Sequence, residues 1–168
     1  MLEFIVFTFL LLTDYDGEAE LINKDGNVVG KALLKETPHG VLIYVEATGL
    51  PPSSELAFHI HEKGLCEPPD FQTAGGHFNP EKKKHGFLNK DGYHAGDMPN
   101  FFTDKEGRAR FHVLNTKVTM KEARPNSILG LSLMIHVHRD DYVTDPAGGA
   151  GHRIACGLIK RSEKKGKQ

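Results

Sequence analysis

The feature that most constrains this chain is a set of imidazoles and one carboxylate that any fold must gather. His59, His61, His77, His85, His94 and Asp97 all fall between positions 59 and 97, and His136 follows much later. Imidazole is the commonest biological ligand for zinc and copper. His59-Ile60-His61 lies in a strand-like alternation, and residues i and i+2 of a strand point to the same face, so the pair can chelate one ion. A lone His-x-His is also what a polar strand face carries. His136 ends the apolar run Ile128–Ile135 and offers a third imidazole from a distant strand; taken alone it reads equally as a surface histidine at a strand end. His77, His85, His94 and Asp97 sit in a stretch rich in Gly, Pro, Lys and Asn, a composition that excludes a strand or long helix. Three histidines and a carboxylate suit tetrahedral zinc and would fold such a loop around the ion. Each of these residues is unremarkable singly as a solvated loop residue. Jointly they point to two adjacent metal sites.

The rest of the chain is strand-like. Glu18–Asn23 and Val28–Leu34 flank Lys24-Asp25-Gly26, a hairpin signal. Val41–Glu46, Ala57–His61, Arg108–Val113, Ile128–Ile135 and Arg153–Ile159 are further strand candidates, with turns at Pro38-His39-Gly40 and Asp104–Gly107. Short strands with frequent turns predict an all-β sandwich or barrel. Two long loops, 62–100 and 137–152, would carry the chemistry on that scaffold.

These residues closely resemble the copper–zinc superoxide dismutase family over roughly Glu18 to Lys160. The motifs that carry the resemblance are Phe58-His-Ile-His-Glu-Lys-Gly64, Gly76-His-Phe-Asn-Pro80, Lys84-His-Gly86, His94-Ala-Gly-Asp97, Leu133-Met-Ile-His136 and Arg153-Ile-Ala-Cys-Gly157. The stretch Gly64-Leu-Cys-Glu-Pro-Pro-Asp70 looks like the bacterial branch. The resemblance implies a Greek-key β-sandwich, or flattened barrel, of about eight antiparallel strands; this family is itself a named instance of sandwich architecture. It implies copper on His59, His61, His77 and His136, and zinc on His77, His85, His94 and Asp97, one of each per chain, with His77 bridging. Asp140 would hydrogen-bond one ligand histidine of each metal and so fix ring orientation and tautomer. Arg153 would attract and orient superoxide, and Cys66 and Cys156 would form the family's disulfide. The implied activity is disproportionation of superoxide to dioxygen and hydrogen peroxide by copper cycling between its two oxidation states.

Other readings stay open on the residues alone. A non-catalytic copper- or zinc-binding protein on the same scaffold is the alternative; loss of a copper-side histidine or of Arg153 would favour it, and none is lost. A zinc-stabilised structural module is a third reading, while a zinc hydrolase has no spare carboxylate to act as base. The loop 137–152 carries Arg139 against Asp140, Asp141 and Asp145 and no lysine, which leaves Arg153 as the main attractor. His138 and His152 read as exposed loop residues, or as pH-dependent charges near the copper mouth. The lysines at 82–84 read as a solvated loop face.

The 168 residues make one domain, and a net charge of −1 gives no reason to expect a nucleic-acid partner. Two cysteines admit one bridge or two buried thiols; the bridge the resemblance implies places the protein in an oxidising, extracytoplasmic setting, in the cell envelope, a periplasm-like space or secreted. Residues 1–16 form an apolar extension, too short to span a membrane and lacking the basic start and small-residue cleavage site of a signal. It reads as the remnant of an export signal, a misplaced start or an extra strand. Residues 17–160 form the expected domain, and 161–168 a basic, disordered tail. No transmembrane span is expected, and the chain is a monomer or a homodimer.

Overall fold

The computed structural model describes residues 14–163. Among the described residues, ten strands run in chain order: β1 Gly17–Asn23, β2 Val28–Thr37, β3 Gly40–Ala47, β4 Glu55–Leu56, β5 Phe58–His61, β6 Phe101–Phe102, β7 Ala109–Asn115, β8 Ser132–His136, β9 Arg153–Leu158 and β10 Lys160–Arg161. The main sheet has the order β5-β8-β9-β1-β2-β3-β7, with β10 added to β1, and every pairing is antiparallel. The non-consecutive neighbours β5/β8, β9/β1 and β3/β7 are the Greek-key connections. β4 and β6 form a separate pair.

Alternation places the core. Ala19 and Leu21 of β1, Ala32 and Leu34 of β2, and Val41, Ile43 and Val45 of β3 are buried in one cluster with Phe58, Ile60, Leu133 and Ile135 from the other end of the sheet. The curled sheet thus closes on itself. Phe58 of β5 meets Phe111 of β7 edge-on at 5.3 Å, and Phe101 of β6 stacks on Phe111 at 4.4 Å. Phe58 and Phe101 are buried and Phe111 partly so; burying a phenylalanine completely contributes about 1.5–3 kcal/mol, so these rings help cement the closure. At the first hairpin, Asn23 Oδ1 accepts the N–H groups of Asp25 and Asn27 while Gly26 takes φ 77°. That is why Lys24-Asp25-Gly26 turns as its composition predicts.

The strand expected over Ile128–Ile135 begins only at Ser132. Residues before it turn instead: the Leu131 N–H donates to Ile128 O. Arg161, the first residue of the expected basic tail, lies in β10. Arg161 pairs with Gly17 and forms an ion pair with Glu122, because the start of β1 offers a free ladder edge that outweighs the local charge. Residues 1–13 and 164–168, on which most of the expectations for the extension and tail fall, lie outside the described residues.

Both long loops lie where expected, between β5 and β6 and between β8 and β9, and pack on the outer face at the β5–β8 end. On β5 the core takes Phe58 and Ile60, so period-two geometry sends His59 and His61 to that outer face. The first loop then adds a rung along β5: Ile60 N–H donates to Gly96 O, and Phe78 N–H to Ile60 O. This approach is so close that a Cβ on Gly96 would lie 2.3 Å from Ile60 O.

Candidate metal centre

Four histidines converge on one side of the loops. Ligand nitrogens of His59, His61, His77 and His136 all lie within 4.8 Å of one another, and so do ligand atoms of His77, His85, His94 and Asp97. All seven residues are buried. Three come from strand ends (His59 and His61 on β5, His136 on β8) and four from the first loop. A bulge between Ile135 and His136 lets the β8 imidazole face the β5 pair.

Hydrogen bonds assign the tautomers. His61 Nδ1–H donates to Gly75 O at 3.0 Å, and His136 Nδ1–H to Gly151 O at 3.1 Å. Each Nε2 therefore keeps its lone pair, yet these two nitrogens stand 3.3 Å apart. His59 Nε2–H donates to Asp140 Oδ2 at 2.8 Å, which leaves Nδ1 as the free nitrogen. His59 Nδ1 and His77 Nε2 are buried without any partner. Converging lone pairs and two orphaned buried nitrogens are costly unless a cation joins them. An all-imidazole donor set of this kind fits copper.

On the other side, Asp97 Oδ1 lies 3.0 Å from His77 Nδ1, 3.0 Å from His85 Nδ1 and 3.4 Å from His94 Nδ1. Asp97 Oδ2 is occupied by the backbone N–H groups of Gly86 and His94, so one oxygen is left for a metal. His85 Nε2–H donates to Asp140 Oδ1 at 2.9 Å, again freeing Nδ1. Three histidines and one carboxylate oxygen fit tetrahedral zinc. His77 belongs to both sets, with Nδ1 on this side and Nε2 on the other.

Electrostatics agree with that demand for cations. Burial, then the neighbouring His77, pushes His59 down to about 3. Burial likewise takes His136 down to about 4 and His61 well below its usual value. Burial alone would raise Asp97, but hydrogen bonds from His77, His85 and His94 hold it far below the usual carboxylate range. His85 is the exception: burial opposes its charge, yet Asp140 and Asp97 on its two nitrogens raise it to about 9.

Arg153 completes the site. Its guanidinium donates to Phe71 O at 2.7 Å and Gly75 O at 2.6 Å, so the carbonyl that orients His61 also anchors the arginine. Arg153, His61, His77 and His136 open on one cleft of about 500 Å³. The Cys66–Cys156 disulfide ties the loop carrying Phe71 and Gly75 to β9. Beneath it, Phe71, Ala74, Met134 and Cys156 form a second buried cluster.

His138 and His152 are both exposed and neither lines this cleft; His152 faces a separate hollow on the far side of Arg153. Their backbones instead join the two arms of the second loop, through Val137 N–H to His152 O and His138 N–H to Ala150 O. Sequence reasoning missed Asn100. Its side chain clamps Asp140, accepting the Asp140 N–H and donating to Asp140 O. Gly148 was also missed: at φ 65°, a Cβ there would lie 1.9 Å from Asp140 Oδ1. No local pattern marks either residue.

The description "Copper/zinc superoxide dismutase (SODC)" belongs to a family model that matches residues 28–159. Two proteins of Aquifex aeolicus are similar to the chain. Superoxide dismutase [Cu-Zn] 1 is 54% identical, with 93% of this chain and 94% of that protein covered. Superoxide dismutase [Cu-Zn] 2 is 58% identical, with 88% of each covered. A SOD-like protein from Bacillus subtilis has a similar solved structure, with a TM-score of 0.83 at 39% identity, covering 86% of this chain and 98% of that one. With the fold, the gathered ligands and these likenesses in agreement, the chain belongs to the copper/zinc superoxide dismutase family.

Proposed function

We propose that this protein is a superoxide dismutase, holding one copper on His59, His61, His77 and His136 and one zinc on His77, His85, His94 and Asp97. The observation that carries the reading is that lone-pair nitrogens of His61 and His136 open on the same cleft as Arg153. A store for copper needs the nitrogens but not a guanidinium beside them. Bound copper would supply a one-electron couple, oxidising one superoxide to dioxygen and reducing a second, which leaves as hydrogen peroxide after taking two protons.

The chain's own residues do the rest. Arg153, fixed by two carbonyls, presents a permanent positive charge that draws and orients a small anion. His77 Nε2, buried and unpartnered, takes and returns one proton per cycle, while Nδ1 stays directed at the zinc side. Asp140 holds the Nε2–H of both His59 and His85, so neither ring can turn when the charge nearby changes. The disulfide supports an oxidising, extracytoplasmic location. No helix among the described residues is long and apolar enough to cross a membrane. The metal-binding unit is the segment 17–160, working as a monomer or a homodimer.

Superoxide decay after pulse radiolysis tests the reading, on protein loaded with zinc alone and then with zinc plus copper. Fast decay that needs copper is expected. His61→Ala should abolish it while zinc content and melting temperature stay close to wild type. Full activity in a copper-loaded His61→Ala protein would overturn the copper assignment.

A further inference from the structure

The lysines at 82, 83 and 84 are all exposed, but they do not share one environment. The chain turns at Lys82, where φ is 52°. Lys83 lines the cleft onto which His61, His77, His136 and Arg153 open; Lys82 and Lys84 do not. The backbone of Lys83 is held in place from both sides by one residue, since Asn79 Nδ2 donates to Lys83 O at 2.7 Å and Asn79 Oδ1 accepts the Lys83 N–H at 2.9 Å. Its ammonium has no hydrogen bond or ion pair with any described residue.

The cleft's two carboxylates, Glu62 and Asp145, keep their negative charge but are tied to the backbone. Glu62 Oε1 accepts the Gly76 N–H, and Asp145 Oδ1 accepts the His85 N–H. Arg153 is tied to two carbonyls. Among the described residues, Lys83 is thus the cleft's one cation that is pinned at its base and unpaired at its tip.

We propose that Lys83, rather than any residue of the loop 137–152, is the anion-attracting group at the mouth, passing superoxide to the fixed Arg153. Superoxide dismutases are themselves a known case of electrostatic steering; what is assigned here is the residue. A flexible, strongly hydrated ammonium suits capture at long range, and a rigid guanidinium suits orientation at short range. The inference rests on the dismutase reading above.

The test compares Lys83→Glu with Lys82→Glu, a neighbour outside the cleft with the same change of net charge, and with Lys83→Gln. Zinc and copper content are checked in each. Two quantities are read from about 0.01 M to about 0.3 M salt, across which the screening length falls severalfold. They are the second-order rate of superoxide decay and the affinity of the copper-loaded protein for azide, followed by its optical spectrum. At low salt Lys83→Glu should lose about three- to fivefold in both, as expected for reversing one charge about 10 Å from the target in water. Lys83→Gln should lose roughly half as much on a logarithmic scale. The differences should vanish at high salt and exceed those of Lys82→Glu throughout.

Superimposable curves for Lys83→Glu and Lys82→Glu would overturn the proposal, since net charge alone would explain them. A loss that persists at high salt would overturn it too, by exposing a structural defect. If copper-loaded wild type binds azide but leaves superoxide untouched, it is the dismutase reading that fails, and azide affinity alone then decides whether Lys83 admits anions.

Discussion

Asp140 is the residue on which both halves of the centre depend. Burial would raise its pKa, but hydrogen bonds from His59 and His85 hold it well below the usual carboxylate range, and the Tyr142 N–H adds a third bond at 2.6 Å. One oxygen serves His59 and the other His85. Asparagine at this position keeps the shape but can accept with one atom only, so one ring loses its partner. Asp140→Asn should therefore weaken zinc binding about 10- to 100-fold, as measured by competition with a chromophoric chelator. Wild-type zinc affinity in that variant would mean that ring orientation is set elsewhere.

At the scale of elements, the strands were legible and the interior of the loops was not. Alternation is clear over Glu18–Leu21, while in the next two strands Ala32–Leu34 and Ile43–Glu46 are buried at every position, and each of the three sends one face into the common core. Inside the loops, position depends on distant partners. Phe71 adopts a left-handed φ of 55°, unfavourable for a bulky residue. It holds this backbone with its ring fully buried beside Met134 and Cys156, while its carbonyl accepts from Arg153. The disulfide closes this arrangement across a separation of 90 residues. Replacing both cysteines by serine should lower stability by about 2–5 kcal/mol, read from the urea midpoint of the metal-loaded protein. An unchanged midpoint would show that the loop is held by metal and packing alone.

For the whole molecule, the centre makes folding depend on pH when metals are stripped. His59 at about 3, His136 at about 4 and His61 stay neutral when buried, whereas the unfolded chain protonates them near 6.5. They contribute no penalty above pH 6.5 and lose stability as pH falls from there toward 4. His85, raised to about 9, works in the opposite sense. Its contribution is full below 6.5 and is lost as pH rises through 9. Denaturation midpoints of the metal-free protein should therefore peak near pH 6.5 and fall on both sides. A midpoint that climbs steadily down to pH 4 would contradict the burial of these imidazoles.

Sequence alone determined which side chains are present and, through period-two alternation, which face of a strand each occupies. Those are local properties, so the spacing of His59 and His61 and the family motifs around His77, His85, His94, Asp97 and His136 were enough to single out the side chains that the fold gathers. Tertiary structure decided what orients that set. The carbonyls of Gly75 and Gly151 select tautomers, Asn100 clamps Asp140, and a missing Cβ at Gly148 leaves room for its carboxylate. Every peptide has a carbonyl, so nothing in composition marks the two that matter. The same holds for the lysines at 82–84, identical in sequence and separated only by a turn that sends one of them into the cleft. Such choices are fixed by contacts between residues far apart in the chain, and only the closed sheet with its two packed loops brings those residues together.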